Sequence, residues 1–131
     1  MEDDNLHEVI RTSQVVVRPG RYAYLKAPTQ TDLAAHFLIA RDRDETTVVT
    51  EEKNLPQTSF EEAVKWFKLI EVRVSQPFLA TGFIACITRA IAARELNVLV
   101  ASTFSKDYFL VREEALEEAI AALRDLGFPL S

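Results

Sequence analysis

Between Lys65 and Gly127 the apolar residues change period in an order that few folds can accommodate. Lys65 to Val74 reads as a long strand in which Ile70, Val72 and Val74 alternate with Glu71 and Arg73, so one face is expected to be buried. After the loop Ser75 to Ala80, the spacing of Ile84, Ile87 and Ile91 predicts a helix from about Thr81 to Arg94 that packs on a sheet. Asn97 to Ser102 and Tyr108 to Val111 are short and β-prone, joined by a turn of hairpin length, Thr103 to Asp107. A last helix opens at Glu113-Glu114, keeps Leu116, Ile120 and Leu123 on one face, carries Arg124 in its last turn and stops at Gly127.

Strand, helix, strand, strand, helix is the split βαβ pattern lacking its last strand. Phe128 to Ser131 are too few to supply one. An apolar sheet edge left open invites unwanted pairing, so another segment is expected to cover it, and Leu6 to Val17 is the candidate.

The first half is less regular. Residues 1–8 are polar and read as frayed, while Val9 to Val17 and Arg21 to Lys26 flank Pro19-Gly20 as a candidate hairpin. Asp32 can cap a short helical turn through Ala35. Phe37 to Ala40 and Thr46 to Thr50 read as strands either side of the charged turn Arg41 to Glu45, and Asn54-Leu55-Pro56 ends the second before an acidic helical stretch, Ser59 to Ala63.

Composition removes several classes of function. With 15 basic and 20 acidic residues the net charge is −5, and the cations are scattered, so no phosphate-binding stripe exists and nucleic acid is not an expected partner. The three glycines stand apart at Gly20, Gly82 and Gly127, which leaves neither a dinucleotide fingerprint nor a Walker loop. Cys86 is alone and accompanied only by His7 and His36, so no disulfide or metal spacing is available; no cofactor is expected, and a reducing, cytoplasmic setting is. An acidic N-terminus and the lack of an apolar run near ~18 residues give no expectation of a signal segment or a membrane span.

The runs Thr81-Gly82-Phe83-Ile84-Ala85 and Asn97 to Glu113, the latter with Ser-Thr-aromatic-x-x-Asp-aromatic followed by Leu-Val-x-Glu, resemble an ACT domain. The subtype resembles small tandem-ACT proteins of bacteria and the cytosolic arginine sensors called CASTOR. Val17 to Tyr22, Phe37 to Arg41 and Glu45 to Glu52 resemble the degenerate first ACT half of those proteins. The fold implied is α+β, two ferredoxin-like (βαββαβ) units in tandem with antiparallel sheets and helices on one face. Residues 1–62 would form the degenerate unit, with 6–17 completing the second sheet, and residues 63–131 the C-terminal ACT domain.

The resemblance implies a non-catalytic regulatory protein that binds a free amino acid where two ACT domains meet. Its site residues would be Pro77, Phe78, Leu79, Ala80, Thr81 and Gly82 in the loop and helix start. Thr103, Phe104 and Asp107 would come from the turn, and Asn97 and Val98 from the apposed strand. A helix N-terminus attracts the carboxylate of a zwitterion, an acidic side chain takes its ammonium, and glycine allows close approach. A single ACT repeat resembles half of a shared pocket, which implies a homodimer, and the lack of a catalytic region implies a separate protein target. Arginine-binding relatives carry an acid in the loop where this chain has Leu79-Ala80, so a neutral side chain is permitted in the ligand.

Simpler readings stand beside these. Asp107 between two strands can be a turn residue bonded to its own backbone, and Trp66 and Phe67 can be core. Cys86, His7 and His36 have no evident partner for catalysis, and Thr103, Ser105, Lys106 and Asp107 lack one for nucleophile activation. A protein-interaction module that has lost its ligand is the alternative.

Overall fold

The computed structural model of the 131-residue chain describes residues 2–28 and 35–130. The chain divides into two compact units, Met1–Arg18 with Lys68–Ser131, and Pro19–Phe67. The expected cap at Asp32 lies outside the described residues.

The first unit holds α1 (Glu2–Thr12), β1 (Gln14–Val17), the second half of β5 (Glu62–Arg73), α2 (Phe83–Ala92), β6 (Leu99–Ser102), β7 (Lys106–Arg112) and α3 (Leu116–Leu126). Its strand order is β1-β5-β7-β6. Counted from β5 this is strand, helix, strand, strand, helix, and β1 lies antiparallel on β5 with Gln14 opposite Arg73 and Val17 opposite Ile70. The N-terminal segment thus holds the sheet position of a fourth strand. Val9, Ile10, Ile70, Val72, Ile87, Ile91, Phe109 and Leu123 form the core between this sheet and its helices.

Two features of this unit depart from the sequence reading. Residues 2–12 are helix rather than frayed tail and strand, because Leu6, Val9 and Ile10 recur at helical spacing and Val9 and Ile10 are buried. Glu71, expected on a wet face, is 1% exposed. Leu69, Ile70 and Val72 are buried as well, so both faces of β5 are covered there. The carboxylate is tolerated because Arg18 and Arg73 reach it at 3.0 and 2.6 Å. Burial pushes the Glu71 carboxyl up, but the hydrogen bonds and charges of Arg73 and Arg18 outweigh it and hold the group below its ordinary value.

The second unit holds β2 (Tyr22–Ala27), β3 (Leu38–Arg41), β4 (Thr46–Glu51), a 3-10 helix (Glu52–Gln57) and the first half of β5. Its strand order is β3-β4-β2-β5, with every pair antiparallel. Counted from β2, that is the same sheet order as in the first unit. Leu25, Val48 and their neighbours fill its core, and Arg21 forks onto Glu52 at 2.9 Å while lying 4.3 Å over the Trp66 ring.

The expected hairpin across Pro19-Gly20 does not form. β1 and β2 each pair with β5 instead of with one another, because β5 is long enough to offer both a ladder. The helical stretch expected at Ser59 to Ala63 is likewise absent. Glu62 and Ala63 belong to β5, opposite Lys26 and Leu25, and the short helix lies earlier and contains Pro56.

Candidate functional site

The loop between β5 and α2 ends on Gly82, the N-cap residue of α2, at φ 82°. Only glycine occupies that left-handed conformation without steric cost, and nothing lies within 4 Å of where a Cβ would stand. Gly82 offers no side-chain cap and the first turn of α2 holds no acid, so the positive end of the helix dipole is not neutralised by its own residues. Phe83 anchors the turn beneath, buried and edge-on to Phe128 at 5.8 Å. Ile87 and Ile91 then hold the helix on the sheet.

On the neighbouring strands, Thr103 to Ser105 turn the chain between β6 and β7, closed by the Thr103 amide donating to the Lys106 carbonyl at 2.9 Å. Asp107 is not in the turn, as expected, but on β7, cross-strand from Ser102. The strand begins at Lys106 because the ladder continues to the Ser102 pair, and the Ser102 hydroxyl donates to Asp107 Oδ1 at 2.7 Å.

A cavity of about 440 Å³ opens between these two segments. Of the expected site residues, Pro77, Phe78, Ala80, Gly82, Thr103, Phe104 and Asp107 line it, so two stretches of sequence some twenty residues apart are brought together. Leu79 and Thr81 belong to the same loop but are not part of the lining, and Leu79 is 71% exposed. Asn97 and Val98 precede β6 and stand outside the cavity, with Val98 packed on the core.

Two residues of the lining were not among the expected ligand contacts. Lys106 adds a cation beside Asp107, and Ser102 supplies the hydroxyl that orients it. Phe78, at φ 67°, and Phe104 are 79% and 82% exposed, and their rings meet edge to face at 5.1 Å. Cys86, one turn into α2, has its thiol pushed up by burial, partly offset by the Arg89 charge, and so carries little thiolate. Among the described residues no three His, Cys, Asp or Glu side chains are grouped to hold a metal ion, and no helix is long and apolar enough to cross a membrane.

A ferredoxin-like α+β unit with its cavity at the start of α2 defines the class. Residues 62–125 match the family model of the ACT domain. The fold is shared with a Vibrio cholerae protein of unknown function, at a TM-score of 0.81 and 19% identity over 97% of this chain and 99% of that one. An Agrobacterium tumefaciens protein is similar at 0.73 and 21% identity, covering 91% and 92% of the two chains. The ligand-free regulatory subunit of aspartate kinase from Thermus thermophilus superposes at 0.62 with 12% identity, over 86% of this chain and 96% of the other. At such identities the likeness is one of fold. No curated protein sequence matches the chain.

Proposed function

We propose that the chain is a non-catalytic regulatory protein that binds a free amino acid in this cavity. The observation that carries the reading is the meeting of unlike charges in one 440 Å³ space: the uncapped N-terminus of α2 at Gly82 and the Asp107 carboxylate on β7. A zwitterion has the complementary pair, its carboxylate suited to the helix N-terminus and its ammonium to Asp107. The shared fold with a regulatory subunit of aspartate kinase supports a regulatory rather than a catalytic role. On this reading residues 19–67, with their matching strand order, are a second ACT-like unit poor in helix. A homodimer brings two cavities into use, as in a two-repeat CASTOR-like sensor divided into halves, and passes the signal to a separate protein target.

Thermal denaturation with each of the twenty amino acids at millimolar concentration tests this. A ligand present at 100 times its Kd adds about 2.7 kcal/mol to stability. A rise in Tm with at least one of them supports the reading, and no rise with any removes it.

A second reading is favoured by one specific observation. Phe78, Leu79 and Phe104 leave a cluster of large apolar side chains in solvent, as a protein-interaction surface would. A protein whose Tm ignores every amino acid, but whose Phe104→Ala variant loses self-association, would be such a module.

A further inference from the structure

We infer that the ligand is an amino acid with a large apolar side chain, and that Phe78 and Phe104 are the residues that select it. This rests on the amino-acid reading of the cavity and adds the substrate class.

Charge accounting decides against a basic ligand. Lys106 and Asp107 are the charged residues of the lining, and they cancel. Asp107 is also the one carboxylate there, and one of its oxygens already accepts the Ser102 hydroxyl at 2.7 Å. Once Asp107 meets the α-ammonium, a guanidinium or a second ammonium has no carboxylate left, and it shares the space with the Lys106 ammonium. A desolvated charge without a counter-charge opposes binding. A neutral side chain meets no such penalty.

The apolar part of the lining then needs a partner. Val74, Phe78, Ala80 and Phe104 contribute only hydrocarbon, and the two rings form an edge-to-face pair at 5.1 Å with about four-fifths of each side chain in solvent. Phe78 is held at a positive φ of 67°, a conformation unfavourable for a bulky residue, so the backbone presents this ring outward against its own preference. A ring or branched chain of a ligand laid against the pair removes apolar surface from water on both sides and extends the aromatic contact. The volume, about 440 Å³, leaves room for such a side chain together with the zwitterionic head.

The test is calorimetric titration and thermal denaturation of the full chain with L-phenylalanine, L-leucine, glycine, L-arginine, L-lysine and L-aspartate. Phenylalanine and leucine are expected to raise Tm and to bind at least tenfold more tightly than the other four. Phe104→Ala and Phe78→Ala, both at exposed positions, are expected to weaken phenylalanine at least tenfold while leaving the unliganded Tm and the oligomeric state unchanged. Preferential binding of arginine, lysine or aspartate would overturn the class and leave the amino-acid reading standing. Failure of all six here, together with no rise in Tm from any amino acid in the twenty-member thermal screen, would remove both. Undiminished phenylalanine binding by the two alanine variants would show that the rings are not ligand contacts and would overturn their role.

Discussion

Ser102 and Asp107 face each other as the last pair of the β6–β7 ladder before the turn, and the Ser102 hydroxyl donates to Asp107 Oδ1 at 2.7 Å. The bond fixes a carboxylate that would otherwise rotate freely in a partly exposed position. The backbone of Asp107 is held as well, by its place in the ladder opposite Ser102, where a turn residue would be freer.

Removing Asp107 and removing its orienter should therefore differ. Asp107→Ala is expected to abolish the amino-acid-dependent rise in Tm. Ser102→Ala keeps the charge and loses one charge-assisted hydrogen bond, with an expected loss of about 1 kcal/mol, or roughly fivefold in affinity. Neither should move the unliganded Tm by more than a few degrees. Equal effects from the two variants would mean that the carboxylate acts only through Ser102, as a strand-pairing residue.

Gly82 gives a backbone prediction. The sequence suits Gly82 both to close approach by a ligand and to helix entry, and its φ of 82°, with open space where a Cβ would be, is a reason for glycine that needs no ligand. Alanine should cost about 1–2 kcal/mol through left-handed strain alone, asparagine less because its side chain tolerates that region, and valine more. Urea denaturation of Gly82→Ala, Gly82→Asn and Gly82→Val checks the order. Equal losses in all three would show that contacts, not φ, set the cost.

The Glu71 cluster predicts a pH dependence. Its folded-state pKa lies below the unfolded value, since the bonds and charges of Arg73 and Arg18 overcome burial. Such a group binds more protons when unfolded, so its contribution is fully present above the unfolded value of about 4.3 and is lost as pH falls through the lowered folded value. Glu71→Gln should leave a buried amide against two arginines, lower stability at pH 7 by about 2 kcal/mol, and flatten the fall in Tm below pH 5. Denaturation curves between pH 3 and 7 for the two proteins should therefore converge at the acid end; parallel curves would exclude Glu71 as the titrating group.

Much of this was legible in the chain itself, and the misses have a common physical cause. Ile84, Ile87 and Ile91 announced α2, and Gly127 closes α3 in the left-handed conformation at φ 110° that its position suggested. Gly82, Phe104 and Asp107 fell around one cavity because their segments follow successive strands of a known pattern. Glu71 was misread because alternation reports one buried face, whereas β5 buries Leu69 and Glu71 on one side and Ile70 and Val72 on the other. Pairing partners were less legible: the open sheet edge pointed to residues 6–17 as its cover, but nothing in Tyr22 to Leu25 states that this strand bonds to β5 rather than to β1.

The N-terminal helix is the sharpest of these misses and yields the strongest stability prediction. A polar run of eight residues suggested fraying, yet α1 carries Val9 and Ile10 into the core at 0% and 2% exposure. Its end is tied down as well: the Ser13 hydroxyl donates to the Val9 carbonyl at 2.5 Å and accepts the Ser75 amide at 3.0 Å. Ser13 is itself fully buried, so these bonds replace water that cannot reach it. Ile10→Ala should then cost about 2–5 kcal/mol, the range for emptying a buried aliphatic site, and Ser13→Ala about 1–3 kcal/mol for leaving the Ser75 amide unpaired. Exposed Arg11→Ala, by contrast, removes only a surface pair with Glu8 and should fall within about 0.5 kcal/mol. Because α1 leads directly into β1, loosening it should also raise hydrogen exchange at Val15 and Val17 ahead of Phe109 and Leu110, the buried centre of β7. Exchange at β1 unchanged by Ile10→Ala would mean that the strand is held by its ladder to β5 alone.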